Sequence, residues 1–295
     1  MTKRKLIPDD QIIVVLDTSP VRNLAYGDAP EWVMTFAAMA KAGYSFSLAD
    51  ATVAELLTQI RSERIPSDGY KRMIDLLKTF LNPEFPMLPG KVDLEAMIGI
   101  EDTVESLDET IYLSKAGWHQ LLAPHEPTFA LGPSLEELLE EERREWADSL
   151  REMRRHTLYY GIDIAESDPD EVAELLADLA GKSLYVDTEV EPPMAIRMHL
   201  ELRYRFRQMA RSAQKKRAYD PDKQRNRNDG IDVDLYKYFI LPALAVAEDG
   251  GFFKSLDSIQ SFQREWFVRP EVLAARWSAG ERPQPVWPAF VDPEV

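Results

Sequence analysis

Residues 12–16, Ile-Ile-Val-Val-Leu, form an unbroken apolar run that stops at Asp17-Thr18-Ser19-Pro20. The run is too short for a helix and rich in β-branched residues, so it predicts a strand covered on both faces, the kind found in parallel sheets. Such a strand restricts the fold more than any other part of the chain. Other elements must cover it on both sides, and crossover connections must link it to its neighbours. The run also puts a carboxylate at the tip of a buried segment, where desolvating the charge is costly unless something compensates it.

The residues that follow supply those connections. Helical patterns begin near Pro20 and continue through "EWVMTFAAMAKAG", with Gly43 as a stop. "YSFSL" reads as a second strand. Ser47, with Asp50 three residues on, resembles a capping box that opens the helix "ADATVAELLTQIRSE", in which Val53, Leu56, Leu57 and Ile60 share a face. Ser67 begins another helix, "DGYKRMIDLLKTFL", which "PEFPMLPG" closes. Alternation of strand and helix predicts an α/β fold, a three-layer α/β/α sandwich around a mainly parallel sheet.

From about residue 91 to 192 the pattern is almost wholly helical and strongly acidic, as in "SLEELLEEERREWADSLREMRR", with Ser134 and Glu137 as a capping box. The expected organisation is a discontinuous core, residues 1–90 and 193–295, carrying a helical insertion, residues 91–192. Tyr159 and Tyr160 inside it fit a core role better than stacking on bases. A long helix from Pro193 has Met198, Leu202, Phe206, Met209 and Ala213 as an apolar stripe. A helix at "DVDLYKYFIL", the strand-like "ALAVA" and "GGFFKSLDSIQ" complete the pattern.

Composition narrows the function classes. The 295 residues are 45% hydrophobic and 29% charged, which excludes long disorder. There is no cysteine, so disulfides and cysteine-bound metal centres are excluded. No apolar stretch reaches the roughly 18 residues of a membrane span. The expectation is a cytoplasmic protein with no membrane association. A net charge of −16 argues against a nucleic-acid partner, but Arg197 to Arg227 hold eleven Lys or Arg against three acids. That is a local balance of +8, with −24 left for the remainder. Arg203, Arg207, Arg211 and Lys215 are spaced by four, and with Lys216 and Arg217 they are candidates to hold nucleic-acid phosphates, a solvated helix face being the other reading.

"ALAVA" ends in Glu248 and Asp249, which repeats the pattern at Asp17. Strand carboxyl ends align along one edge of a parallel sheet, where ligand sites form. Glu55, in the helix after the second strand, and Asp232, flanked by Asp229 and Asp234, could reach the same edge. Converging carboxylates repel one another, and hard oxygen ligands of this type suit Mg²⁺ or Mn²⁺. The cation would be the compensation Asp17 needs.

"IIVVLDTSPVRNL", "FSLADATVAELL" and "NDGIDVDLYKYFILPALAVAEDGGFF" resemble the acidic segments of PIN domain nucleases, in order and spacing, over about residues 10–82 and 193–258. The resemblance implies that Asp17, Glu55, Asp232 and Asp249 are the metal-binding catalytic acids, with Asp229 and Asp234 as further metal ligands and Thr18 and Ser19 in support. It also implies an RNA substrate, Mg²⁺ or Mn²⁺ as cofactor and phosphodiester hydrolysis as the reaction. Many family members have Thr or Ser two residues before the fourth acid, where this chain has Ala247.

Three functional classes fit these residues: a metal-dependent ribonuclease, a catalytically weakened PIN-like module that binds RNA or a protein, and another Mg²⁺-dependent phosphohydrolase. The last is disfavoured because aspartyl-nucleophile phosphatases have a second Asp where this chain has Ser19. A protein regulator or a second copy of the chain could dock on the acidic helices. Each acid also has a plainer reading: Asp17 as a helix N-cap, Glu55 as a helix-surface residue and Asp249 as a turn residue before Gly250.

Overall fold

The apolar run forms β1, Ile12–Leu16, the central strand of a five-stranded sheet in the order β3-β2-β1-β4-β5, with every neighbouring pair parallel. The structure is a computed structural model and describes residues 10–88, 104–126, 135–183, 204–223, 226, 228–235, 243–256 and 262–285. β1 runs beside β2, Tyr44–Ala49, from Ile12 opposite Tyr44 to Leu16 opposite Leu48. On its other side it runs beside β4, Ala243–Val246, ending with Leu16 opposite Val246. Val14, Val15 and Leu16 are fully buried, as a strand covered on both faces requires.

All of β2 is buried too, although it contains Ser45 and Ser47. Both hydroxyls are satisfied: Asn82 Nδ2 donates to Ser45 Oγ at 2.7 Å, and Ser47 Oγ donates to the Phe85 carbonyl at 2.6 Å. Ser47 therefore does not cap a helix as its spacing suggested. The helix α3, Asp50–Arg61, is instead preceded by Ala49 with no side-chain cap. The edge strands β3, Met87–Leu88, and β5, Phe267–Val268, are two residues each, too short for any pattern to reveal them in sequence.

Around the sheet lie α1, Thr18–Asn23, α2, Glu31–Lys41, α3, and α4, Ser67–Leu77. They are followed by α5, Val104–Leu122, α6, Leu135–Tyr159, α7, Pro169–Ser183, α8, Asp229–Asp234, α9, Gly250–Leu256, and α10, Pro270–Ser278. Residues 204–214 are also helical. α2 covers β2 through an aromatic cluster in which Phe36 stacks on Phe46 at 4.7 Å and Trp32 and Phe80 meet them edge-on or tilted. Gly43, at φ +97°, ends the turn between α2 and β2, in the left-handed region where glycine is favoured. Among the described residues, no helix is long and apolar enough to cross a membrane.

The chain gathers into two compact units. The first comprises residues 1–138, 241–253 and 265–287, and the second residues 139–240, 254–264 and 288–295. These divisions do not coincide with the boundaries expected at 90 and 193. α5 belongs with the sheet because it packs on α3, and the Tyr70 hydroxyl lies 2.9 and 2.8 Å from the Leu121 and Leu122 carbonyls at its end. The second unit has its own core of Ile164, Val172, Leu176 and Ala213, with Phe206 and Met209 against it. The apolar stripe of the 204–214 helix thus faces a core, but that of the helical unit. Met198, Leu202, Arg203 and Ser134 lie outside the described residues.

α4 enters so close to the end of α1 that a Cβ on Gly69 would lie 2.5 Å from the Ala25 carbonyl oxygen. A helix favours alanine over glycine by about 1 kcal/mol. Overpacking against fixed backbone costs about 1–3 kcal/mol, and it dominates here. Gly69→Ala is expected to lower the urea midpoint, with the m-value unchanged.

Candidate functional site

From β1 the chain builds outward through β2 to β3, then crosses back to place β4 and β5 on the other side of β1. The reversal puts the switch point of the sheet at the carboxyl ends of β1 and β4, the position where ligands bind in open parallel sheets. Asp17 follows β1 there, and Glu248 and Asp249 follow β4.

Asp17 is held in place by its neighbours. Its N–H donates to the Val246 carbonyl at 2.9 Å, which joins the two strand ends. Its carboxylate caps α1, accepting from the Ser19 N–H at 3.4 Å and from the Ser19 hydroxyl at 2.8 Å. The same hydroxyl accepts from the Glu248 N–H at 3.1 Å, so one serine ties the end of β4 to the carboxylate after β1. Burial pushes the Asp17 carboxyl above the ordinary aspartate range, and the charge of Asp249 adds to the rise. Hydrogen bonds from Ser19 and the local backbone oppose the rise without cancelling it. The capping reading is correct as far as it goes, since Asp17 does cap α1. A cap, however, does not need to be half-buried within the field of a second carboxylate.

Glu55 reaches the same edge from α3. The buried Thr18 hydroxyl lies 2.5 Å from Glu55 Oε2 and donates to it. Thr52 Oγ1 stands 3.4 Å from Thr18 Oγ1 and donates to the Leu16 carbonyl at 3.1 Å. Asp249 is exposed, and its Oδ1 accepts from the Phe252 N–H at 2.7 Å, capping α9. Thr18, Ser19, Asp17, Glu55 and Asp249 thus gather in the first unit at one sheet edge. Among the described residues, no three Asp, Glu or His side chains stand together in an arrangement able to hold a metal ion.

Glu248 is the site residue that sequence reading passed over in favour of Asp249. Asn23 Nδ2 donates to its carboxylate, and Arg269 donates to its carbonyl at 2.8 Å. Burial raises its pKa and Glu271 adds to the rise, while Asn23, Arg269 and Arg22 counteract it. The signal was present: of two adjacent acids after a buried strand, pleating can turn only one to each side.

The remaining candidates lie in the second unit. Asp232 sits in the first turn of α8, its N–H donating to the Asn228 carbonyl at 2.9 Å, and Asp234 ends that helix. Asp229 belongs to a polar network inside the unit. The Tyr219 hydroxyl donates to Asp229 Oδ2 at 2.6 Å, Gln208 Nε2 donates to it at 3.3 Å, and Trp146 Nε1 donates to the Tyr219 hydroxyl at 3.3 Å. Burial raises the Asp229 pKa against the pull of Tyr219, Arg211 and Arg207. Arg207 also stacks over the Tyr204 ring at 5.7 Å, and Arg211 donates to Gln208 Oε1 at 3.3 Å. Part of the basic stripe therefore balances an internal carboxylate. Lys216 donates to the Ser167 carbonyl at 2.7 Å, while Lys215 and Arg217 are exposed. Tyr159 and Tyr160, expected in a core, are 82% and 65% exposed.

Comparison of the chain with protein-family models, with curated proteins and with solved structures finds no match.

The raised Asp17 pKa makes the folded protein bind a proton more tightly than the unfolded chain, so stability falls as pH rises from the ordinary aspartate value near 3.8 through the folded one. An asparagine side chain at this position would keep an acceptor for Ser19 without the charge. Asp17→Asn is expected to raise the melting temperature at pH 7 in metal-free buffer, with the gain vanishing as the pH falls below the ordinary aspartate value. Thermal melts of both proteins from pH 3 to 8 test this.

Proposed function

We propose that this protein is a metal-dependent nuclease acting on RNA, built on a PIN-like α/β core with an associated helical region. The observation that supports the reading best is the part-buried Asp17 carboxylate at the switch point of the sheet, tied by Ser19 to the end of β4 and raised in pKa by desolvation and by the charge of Asp249. Further support comes from Glu55, fixed by Thr18 at the same edge, and from the order of the acidic segments along the chain.

The donor set fits a hard divalent cation. Asp17 and Asp249 offer carboxylate oxygens, and Mg²⁺ is commonly held by one or two carboxylates with waters and substrate phosphate completing its shell. When bound, Mg²⁺ or Mn²⁺ supplies an activated water and charge stabilisation at the phosphoryl oxygens. Ser19 orients the Asp17 carboxylate and Thr18 orients Glu55. Asp17 must give up its proton more reluctantly than an ordinary aspartate, so affinity for the cation rises with pH. Asp232 enters the reading through its place in the motif order alone.

A second reading, a PIN-like module that binds RNA or protein without efficient cleavage, is favoured by Ala247. This residue is fully buried where a hydroxyl would otherwise support the site.

Incubating the full-length protein with a pool of single-stranded and structured RNA in Mn²⁺, Mg²⁺ or EDTA separates the two. The nuclease reading expects metal-dependent cleavage that falls by about 10²-fold or more in Asp17→Asn with Asp249→Asn, the scale of losing one electrostatic stabiliser of a transition state. Cleavage that persists in EDTA would refute the metal centre. RNA retention without cleavage would establish the binding module.

A further inference from the structure

The second unit contains a cavity of about 420 Å³ between α6, the 204–214 helix and the segment 217–223. Its volume lies within the roughly 300–1,000 Å³ range of small-molecule sites. Four cations, Arg151, Arg154, Arg217 and Lys223, and four acids, Asp148, Asp163, Asp220 and Asp222, stand around it, but they are not all paired with one another. Arg151 is engaged at 2.7 Å by both Asp148 and Asp222, and Lys223 lies 3.5 Å from Asp220. Arg154 and Arg217 line the same cavity, exposed, and among the described residues neither guanidinium has an ion-pair or hydrogen-bond partner. Just beyond Thr157, another lining residue, α6 ends in Leu158 and Tyr159, and with Tyr160 these make three consecutive large side chains in solvent. The Tyr160 ring meets Tyr159 at 5.3 Å and His156 at 4.9 Å, both edge-on, so the rings brace one another and keep faces open. Gly161, at φ +76°, turns the chain back towards the cavity at Asp163.

A run of exposed apolar side chains is unfavourable unless it binds something. Aromatic faces beside uncommitted guanidiniums match one ligand chemistry well: bases stack on the rings, and phosphates pair with the arginines. We infer that the end of α6 and the adjoining cavity form a binding surface for single-stranded nucleic acid, with Tyr159 and Tyr160 as the stacking platform and Arg154 and Arg217 as the phosphate contacts. A duplex would hide its base faces from this platform. The surface deepens the nuclease reading by specifying an unpaired strand, and it rests on that reading only for the strand being RNA.

The test is fluorescence anisotropy of a labelled single-stranded RNA 12-mer with the full chain carrying Asp17→Asn, in EDTA, so that cleavage plays no part. Arg154→Ala with Arg217→Ala is expected to weaken binding at least ten-fold. It should also reduce the slope of log K against log salt by about 1.4, two phosphate contacts at about 0.7 each for single strands. Tyr159→Ala with Tyr160→Ala should weaken binding about five-fold or more while leaving the salt slope unchanged. All four side chains are exposed, so melting temperatures should match the parent, and Arg154→Lys with Arg217→Lys should restore most of the salt slope. Equal binding by parent and both double variants, preference for a duplex of the same sequence, or no binding by the parent would overturn the inference. Absence of cleavage by the unsubstituted chain in Mn²⁺, with this binding intact, would count against the nuclease reading alone.

Discussion

The structure depends on burying β1 between two parallel neighbours. A strand enclosed on both faces and both edges satisfies its backbone only through β2 and β4, so the register of all three is fixed together. Parallel pairing has a consequence that antiparallel pairing lacks: the carboxyl ends of the strands emerge side by side. Because β4 joins β1 only after the chain has traversed β2 and β3, two segments more than 200 residues apart (Asp17 to Glu248) meet at those ends. The bond from the Asp17 N–H to the Val246 carbonyl is the last rung of that ladder. Everything at the candidate site is placed by it.

Ser19 shows how little additional structure the site requires. Its hydroxyl donates to Asp17 and accepts from the Glu248 N–H, so it aligns a carboxylate and ties it to the end of β4 at once. Thr18, one residue earlier and pointing the other way, does the same for Glu55. Adjacent residues in a tight helical start thus serve acids from different elements. Fixing carboxylates in this way costs stability wherever burial raises their pKa, and a protein tolerates that cost mainly where the charge has a use.

Much of this was legible in the sequence, for identifiable reasons. Five β-branched or leucine residues ending in Asp17 specify a buried parallel strand because no other element accommodates them, and α2, α3 and α4 follow from period and termini. Ser47 misled because its spacing to Asp50 imitates a cap, while burial in β2 commits its hydroxyl to the Phe85 carbonyl. The edge strands left no trace, since two residues carry no period. Tyr159 and Tyr160 were assigned to a core on composition, which cannot distinguish an aromatic that fills a core from one that waits for a ligand. Division into units was the least legible feature, because it depends on which helices share a core, and amphipathic stripes do not name their partners.

Asp229 and Asp17 present the same problem, a half-buried carboxylate of raised pKa, and they resolve it differently. Asp229 has a tyrosine hydroxyl, an amide and two nearby guanidiniums around it, a set of donors and cations that leaves it compensated from within. Asp17 has one serine and two backbone donors, and its nearest influential charge is another carboxylate, Asp249. A perturbed carboxyl by itself therefore says little about function. The character of its neighbours decides the matter: cations around an acid complete a fold, whereas a second acid acting on Asp17 leaves a deficit of positive charge at that carboxylate, on a sheet edge open to solvent through the exposed Asp249. That deficit is the property a bound cation would satisfy, and it is why the edge of the first unit, rather than the acidic network of the second, is the place to look for chemistry.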